Sequence, residues 1–294
     1  MIGVVIINYF NHNEVFLYIE KYLKPLLIEA RIVIVDNSAD LIEHEKLVEL
    51  VKDDRSIDVI KAPENLGYAK GNNLGVKHLL GSTYPRYVLF SNTDIVIEDK
   101  EVLRVLVEKL EKNKKIAACN PRIVSCDRKT TQTPFRFVPF YQSFVLKKIC
   151  FPFFKRKIES GLWSDLIEDA GEGCYYRLSG AFLLVRTSSF CQAGMFDEKT
   201  FLFAEEAILS ERLKRIGLKC GFFPGVEIIH QIHGNIDKFN SSEKISKLML
   251  RSNYYYQRKY MGLKKLFYPL GYLSWLVYYK VYGTVYYSIK KWLK

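Results

Sequence analysis

The chain has 294 residues, enough for one large α/β domain with an appendage or for two small domains. Its hydrophobic fraction of 49% is ordinary for a globular protein and its aromatic fraction of 14% is high; its six cysteines are scattered with no Cys-x-x-Cys pair, which argues for reduced thiols and against a disulfide framework or a zinc site. The net charge of +12 is uneven, because residues 241–294 carry eleven Lys or Arg against one acid (Glu243), or +10, leaving residues 1–240 only +2. The basic character therefore belongs to the tail. The first apolar run has no basic segment before it and no cleavage site after it, so a signal peptide is not expected and the protein should stay on the cytoplasmic side.

The β-branched run Gly3 to Ile7 reads as a strand buried on both faces. Residues 14–29 read as a helix and Arg31 to Val35 as a second strand closing at Asp36-Asn37-Ser38. A helix at 40–52 and a short strand at Ile57 to Ile60 follow. A Gly/Asn-rich turn at 64–73 opens a helix to about residue 80. Strand 87–90 runs into the polar turn Ser91-Asn92-Thr93-Asp94, followed by a helix at 100–113 and a strand near 116–119. Residues 125–175 are aromatic and basic, and read equally as a surface insertion or an acceptor-binding loop. A strand at Gly180 to Val185 restores order, and a helix from about 205 to 216 stops at Gly217 after Lys214 and Arg215. Strands alternating with helices predict right-handed βαβ units and a mostly parallel sheet.

Ligands of such sheets sit beyond the carboxyl ends of the strands. That edge would present Asn8 and Tyr9, Asp36, and Asp94, a carboxylate suited to a hard cation that bridges a diphosphate. Asp36 is a natural acceptor for a base or ribose group, or equally a turn cap. The glycines at 67, 71 and 75 would let backbone approach a ligand at a helix N-terminus, although the spacing is neither a P-loop nor a dinucleotide turn. Glu205 and Glu206 open a helix after Phe201-Leu202-Phe203. They could serve only the helix dipole, yet adjacent carboxylates repel, and a raised pKa on one would suit a general base. His230 stands at another expected strand end, and its imidazole suits cations such as Mn²⁺.

In order, Val5-Ile6-Ile7-Asn8-Tyr9, Val35-Asp36-Asn37-Ser38, Asn65-Leu66-Gly67-Tyr68-Ala69-Lys70-Gly71-Asn72-Asn73, Ser91-Asn92-Thr93-Asp94, Ser179-Gly180-Ala181-Phe182, Phe203-Ala204-Glu205-Glu206 and His230 resemble the family-2 glycosyltransferases of GT-A fold, especially bacterial rhamnosyl- or galactosyl-type enzymes of cell-surface polysaccharide assembly. The resemblance implies an α/β catalytic domain over residues 1–240. It implies a nucleotide-diphosphate sugar, UDP- or dTDP-linked, bound by Asp36, Asn65 and the glycine turn with Gly67, Lys70 and Asn72, with Asn8, Tyr9 and Asn92 on the same edge. It also implies Mg²⁺ or Mn²⁺ at Asp94 helped by His230, and Glu206 as catalytic base beside Glu205. The sequence departs from the family in three places. Asn92 stands where the family has its first metal-site acid, Glu206 is one methylene longer than the usual Asp, and Ile208 replaces a further acid.

Residues 254–294 hold fourteen aromatics among lysines and arginines. No nucleic-acid motif accompanies them, and Lys280, Pro269 and many tyrosines make 266–289 a poor membrane span. A helical tail at 241–294 lying on anionic lipid fits best, near a glycan or polyprenyl-diphosphate-linked acceptor; packing on its own domain or on a second copy is the competing reading. The functional alternative is a membrane-peripheral protein that binds nucleotide-sugars or glycans without transferring them, kept open by Asn92 and Ile208. A sugar-nucleotide pyrophosphorylase fits less well, because the first strand runs directly into Asn8-Tyr9-Phe10 with no glycine-rich basic loop.

Overall fold

The computed structural model describes residues 1–26, 29–137, 165–231 and 242–262. The expected aromatic-basic loop falls mostly outside this set, as do the tail residues beyond 262.

The strands are β1 (Ile2–Asn8), β2 (Ala30–Asp36), β3 (Ile57–Lys61), β4 (Tyr87–Ser91), β5 (Ile95–Val96), β6 (Ile116–Val124), β7 (Gly173–Tyr175), β8 (Phe182–Arg186) and β9 (Lys219–His230). The helices are α1 (His12–Tyr18), α2 (Leu41–Val51), α3 (Gly67–Ser82), α4 (Val102–Lys112), α5 (Thr187–Gln192), α6 (Glu205–Arg215) and α7 (Ser242–Tyr260). Helix α1 is shorter than the 14–29 expected. It continues as a π turn at Ile19–Leu23 and a 3₁₀ turn at Lys24–Leu26, where Pro25 lacks the N–H that a further α turn would use.

One sheet runs in the order β3-β2-β1-β4-β8-β6-β9-β5, with β7 added beside β9. The first four strands are parallel, in βαβ register, with Asn8 opposite Asp36. The expectation of a mostly parallel sheet is corrected beyond β4. Strand β8 pairs antiparallel with both β4 and β6, and β5 and β7 pair antiparallel with β9, while β6 and β9 run parallel. The sheet is therefore mixed.

Side chains alternate between two apolar layers, as a strand's two-residue period requires. Val4 and Ile6 of β1 pack with Val15, Tyr18, Leu47 and Leu106 on one face, and Val5 packs with Val76, Leu79, Phe190 and Leu209 on the other. Helices on both faces explain why β1 and β2 read as continuous apolar runs. Gly75 lets α3 press on this sheet, since a Cβ there would lie 2.5 Å from Val5. Helix α6 stops as expected, with Gly217 at φ +77 and its N–H on the Lys214 carbonyl.

Candidate active site

The carboxyl ends of β1, β2 and β4 lie on one edge, and each carries polar groups whose partners the structure identifies. Asn8 is buried and its Nδ2 donates to Asp36 Oδ1 at 3.1 Å and to Glu43 Oε1 at 3.1 Å. Ser38 N–H also donates to Asp36 Oδ1. Glu43 accepts from the His12 backbone at 3.0 Å and faces His12 Nδ1 at 2.6 Å. Burial alone would raise the Glu43 carboxyl; the hydrogen bonds from Asn8 and His12 outweigh it and hold the group below the ordinary carboxylate value. Asp36 has no exposed surface, and its Oδ2 lies 3.4 Å from His44 Nδ1 without a hydrogen bond. Asn8 and Asp36 thus shape the turn after β2 from within, while Tyr9 stands half-buried at the rim, edge-on to Phe10.

The glycine turn also works through its shape. Gly67 has φ +71 and is buried, and a Cβ there would fall 2.2 Å from the Phe201 carbonyl oxygen, so only glycine fits. Asn65 Oδ1 accepts the Gly67 N–H at 3.0 Å and Asn72 Nδ2 donates to the Tyr68 carbonyl at 3.0 Å. Gly67 thus lets the glycine turn lie against the loop that precedes Glu205. Lys70 is exposed on α3.

Asp94 and His230 are brought together across the β5–β9 pairing, where Ile95 lies opposite His230. Asp94 Oδ1 is buried without a hydrogen bond, 3.2 Å from His230 Nε2, and His230 Nδ1 faces Gln132 Oε1 at 2.5 Å. With Nδ1–H donating to Gln132, the Nε2 lone pair and the Asp94 oxygen face each other. A proton or a cation resolves that opposition. With metal–oxygen bonds of about 2.1 Å, adjacent ligands of an octahedral ion lie roughly 3 Å apart, so the pair fits two neighbouring positions on such an ion. Among the described residues there is no cluster of three or more His, Cys, Asp or Glu, so the other ligands would be donor oxygens, amide oxygens or water. Behind Asp94, the buried Tyr18 hydroxyl sits 2.5 Å from Ser91 Oγ, its pKa raised first by burial.

The two acids that open α6 are sorted by burial. Glu205 is 2% exposed, its Oε1 has no partner, and burial followed by the charge of Glu206 pushes its pKa up to about 8. Glu206 is half-buried, and its Oε1 accepts the Gly180 N–H at 3.0 Å. The raised pKa therefore belongs to the inner acid, and the outer one faces the edge. Phe203 and Ala204, just before them, have φ +73 and +68, left-handed values that cost a non-glycine residue about 1–2 kcal/mol each.

Gly180 ties these parts together. Its carbonyl accepts from the Tyr68 hydroxyl at 2.8 Å, its N–H holds Glu206, and the next carbonyl, that of Ala181, accepts the Asn92 N–H at 2.9 Å. The acid of α6, the turn after β4 and the glycine-rich helix thus meet on two consecutive residues. Sequence reasoning missed Gln132, His12, Glu43 and His44. Each becomes a partner only through pairing at long range, and a lone polar residue in a loop or helix carries no local sign of that.

The sequence pattern of glycosyl transferase family 2 matches residues 4–168, more than half of the chain. The chain belongs to glycosyl transferase family 2. Within the family it is 25% identical over 264 residues to rhamnosyltransferase WbbL of Escherichia coli K12, covering 87% of this chain and 92% of that one. A 53-residue stretch, 18% of this chain and 17% of the other, is 43% identical to the N-acetylglucosaminyl-diphospho-decaprenol L-rhamnosyltransferase of Mycobacterium tuberculosis. Among solved structures, the mannosyltransferase PcManGT of Pyrobaculum calidifontis in complex with GDP-Man and Mn²⁺ matches with a TM-score of 0.55 at 13% identity, over 92% of this chain and 68% of that one. TarS 1–349 of S. aureus in complex with UDP matches at 0.51 and 16%, over 95% and 72%. These likenesses establish the GT-A-like fold.

Proposed function

We propose that this family-2 member is an inverting glycosyltransferase that moves a hexosyl group, rhamnosyl foremost, from a UDP- or dTDP-linked donor to a glycan or polyprenyl-diphosphate-linked acceptor in cell-surface polysaccharide synthesis. The observation that carries the reading is the Gly180–Ala181 junction, which joins the half-buried acid Glu206 to the turn bearing Asp94. The names of the rhamnosyltransferase relatives support the sugar class, and the lipid-linked substrate in one of those names supports the acceptor class.

In this reading Asp94 and His230 hold a divalent cation, with His230 oriented by Gln132. The bound cation supplies neutralisation of charge on the departing diphosphate. Glu206, kept in place by the Gly180 N–H, takes the proton of an acceptor hydroxyl. That oxygen forms the new bond to the anomeric carbon as the carbon–oxygen bond to the diphosphate breaks on the opposite side. One base and one displacement give inversion. Burial, and then the charge of Glu206, push the Glu205 pKa up to about 8, so this inner acid holds its proton more strongly than an ordinary carboxyl.

The basic, aromatic composition of residues 241–294 supports a peripheral position on the cytoplasmic face of an anionic membrane. Among the described residues no helix is long and apolar enough to cross a membrane. Cosedimentation with phosphatidylglycerol vesicles but not with neutral ones would support this position, and equal behaviour with both would refute it.

The test of function is turnover of dTDP-rhamnose, UDP-glucose, UDP-N-acetylglucosamine and GDP-mannose with Mn²⁺, followed as release of nucleoside diphosphate with and without a polyprenyl-diphosphate-linked N-acetylglucosamine acceptor. Acceptor-stimulated release from one donor is expected. Tight nucleotide binding with no release from any of the four would favour a nucleotide-sugar binder.

A further inference from the structure

Helix α7 grips the loop that leads to Glu206 rather than only the body of the domain. Asp197, 4% exposed, heads that loop, and its Oδ2 accepts from the Tyr260 hydroxyl at 2.5 Å, the Tyr255 hydroxyl at 2.8 Å and Lys259 Nζ at 3.2 Å, with the Arg212 guanidinium of α6 also at 3.2 Å. Burial would raise this carboxyl, but its donors hold it down at about 2. Farther along, Ser252 Oγ donates to the Leu202 carbonyl at 2.7 Å. The next two residues are the left-handed Phe203 and Ala204, and then come the two acids. Strained backbone of this kind persists only where its surroundings over-determine it. Here the surroundings on one side are Phe201 against Gly67 and on the other are hydroxyls and an ammonium of α7.

Docking of α7 and its grip on the loop are separable. Tyr256 and Tyr260 pack their rings with Ala207 and Ile208 of α6, a contact that would survive loss of the hydroxyls. The hydrogen bonds to Asp197 and Leu202 contribute little apolar burial, yet they fix the position of the chain three to eight residues before Glu205.

We propose that α7 is a positioning clamp for the transfer reaction: Ser252 on Leu202, and Tyr255, Lys259 and Tyr260 on Asp197, hold residues 197–204 in the conformation that sets Glu206 against Gly180. This inference rests on the reading of Glu206 as the base. Ser252, Tyr255, Lys259 and Tyr260 act through the loop and are positioning residues. A displacement of about 1 Å at a reacting group can cost on the order of 100-fold in rate, so a loosened loop should act on turnover rather than on donor binding.

The experiment uses the full chain with Ser252→Ala and, separately, the double variant Tyr255→Phe/Tyr260→Phe, assayed on whichever of the four donors the wild type turns over. In each variant kcat should fall roughly tenfold or more while KM for the donor stays within about twofold. Amide hydrogen exchange should rise across 200–206 and stay unchanged in β1. Unchanged kcat, or a raised KM at constant kcat, would overturn the clamp, as would a loss of activity that comes with faster exchange in β1. Glu206→Gln run alongside separates the two readings. If it keeps full turnover, the base assignment fails and takes the clamp with it; if it is inactive while both clamp variants turn over normally, the clamp alone is wrong.

Discussion

The two halves of the sheet are built by different means. Strands β1 to β4 and their helices follow one another along the chain, pair in parallel, and make one polar edge from turns at their own strand ends. The half beyond β4 is assembled from distant segments. Strand β8 is inserted antiparallel between β4 and β6, β9 returns to pair with β6, and α7 reaches back to Asp197. The first half makes a rigid edge whose polar side chains are mostly consumed internally, as Asn8, Asn65 and Asn72 are. In the proposed reading the second half delivers the acting groups, Glu206 and His230, which accept or share hydrogen bonds with the Gly180 N–H and with Gln132. Nucleotide binding should therefore survive loss of Glu206 or of its hold by Gly180, whereas turnover should not.

The sharpest break in that contrast is Glu206→Gln. It should preserve nucleotide affinity and lower transfer by about 10²–10⁴, measured by calorimetry and by nucleoside diphosphate release; retained transfer would remove Glu206 from the role. Next in size is Gly180→Ala. A Cβ at 180 would sit 2.6 Å from Glu206 Oε1 and 2.9 Å from the Tyr68 hydroxyl, so the acid must move. Turnover should drop roughly 10- to 100-fold with donor KM nearly unchanged, and steady-state kinetics on this variant would show whether the junction matters.

Glu205→Gln probes stability instead. In the folded chain Glu205 titrates at about 8 against an ordinary 4.5, so between those pH values the folded state holds a proton that the unfolded state lacks. Stability then falls as pH rises through that window. The glutamine variant should lose this slope and gain melting temperature relative to wild type above pH 8. Parallel melting curves from pH 5 to 9 would contradict the burial argument. The smallest effect is expected at Lys70→Ala. An exposed charge contributes up to about 1 kcal/mol, or about fivefold in nucleotide Kd at most, and a larger loss by calorimetry would mean Lys70 is enclosed on donor binding.

This contrast also explains what the sequence made legible. The parallel half was readable because β1, β2 and β4 are buried on both faces and each helix lies beside its strands, so apolar runs and caps carry the pattern locally. The placement of Asp36, Asp94 and His230 at or just past strand ends was legible from the apolar runs that precede them. Three things were not. The antiparallel insertion of β8 has no local sign, since Phe182 to Val185 is apolar in either direction. The pairing of His230 with Gln132 joins residues 98 positions apart. The left-handed Phe203 and Ala204 are residues that rarely adopt such backbone, so composition points away from it. The glycines at 67 and 75 were recognised as close-approach positions, and the groups that approach their Cα atoms are Phe201 and Val5.

The seam between the halves is Asp94 against His230, one residue from each side. Its direct test is calorimetric titration of UDP and dTDP into the wild type and into Asp94→Ala, each with Mn²⁺ and with EDTA. The account predicts that one nucleotide binds the wild type at least tenfold more tightly with Mn²⁺ than without and that Asp94→Ala abolishes the difference. Equal affinity with and without the metal, or an undiminished metal effect in Asp94→Ala, would contradict a cation site shared by the two halves.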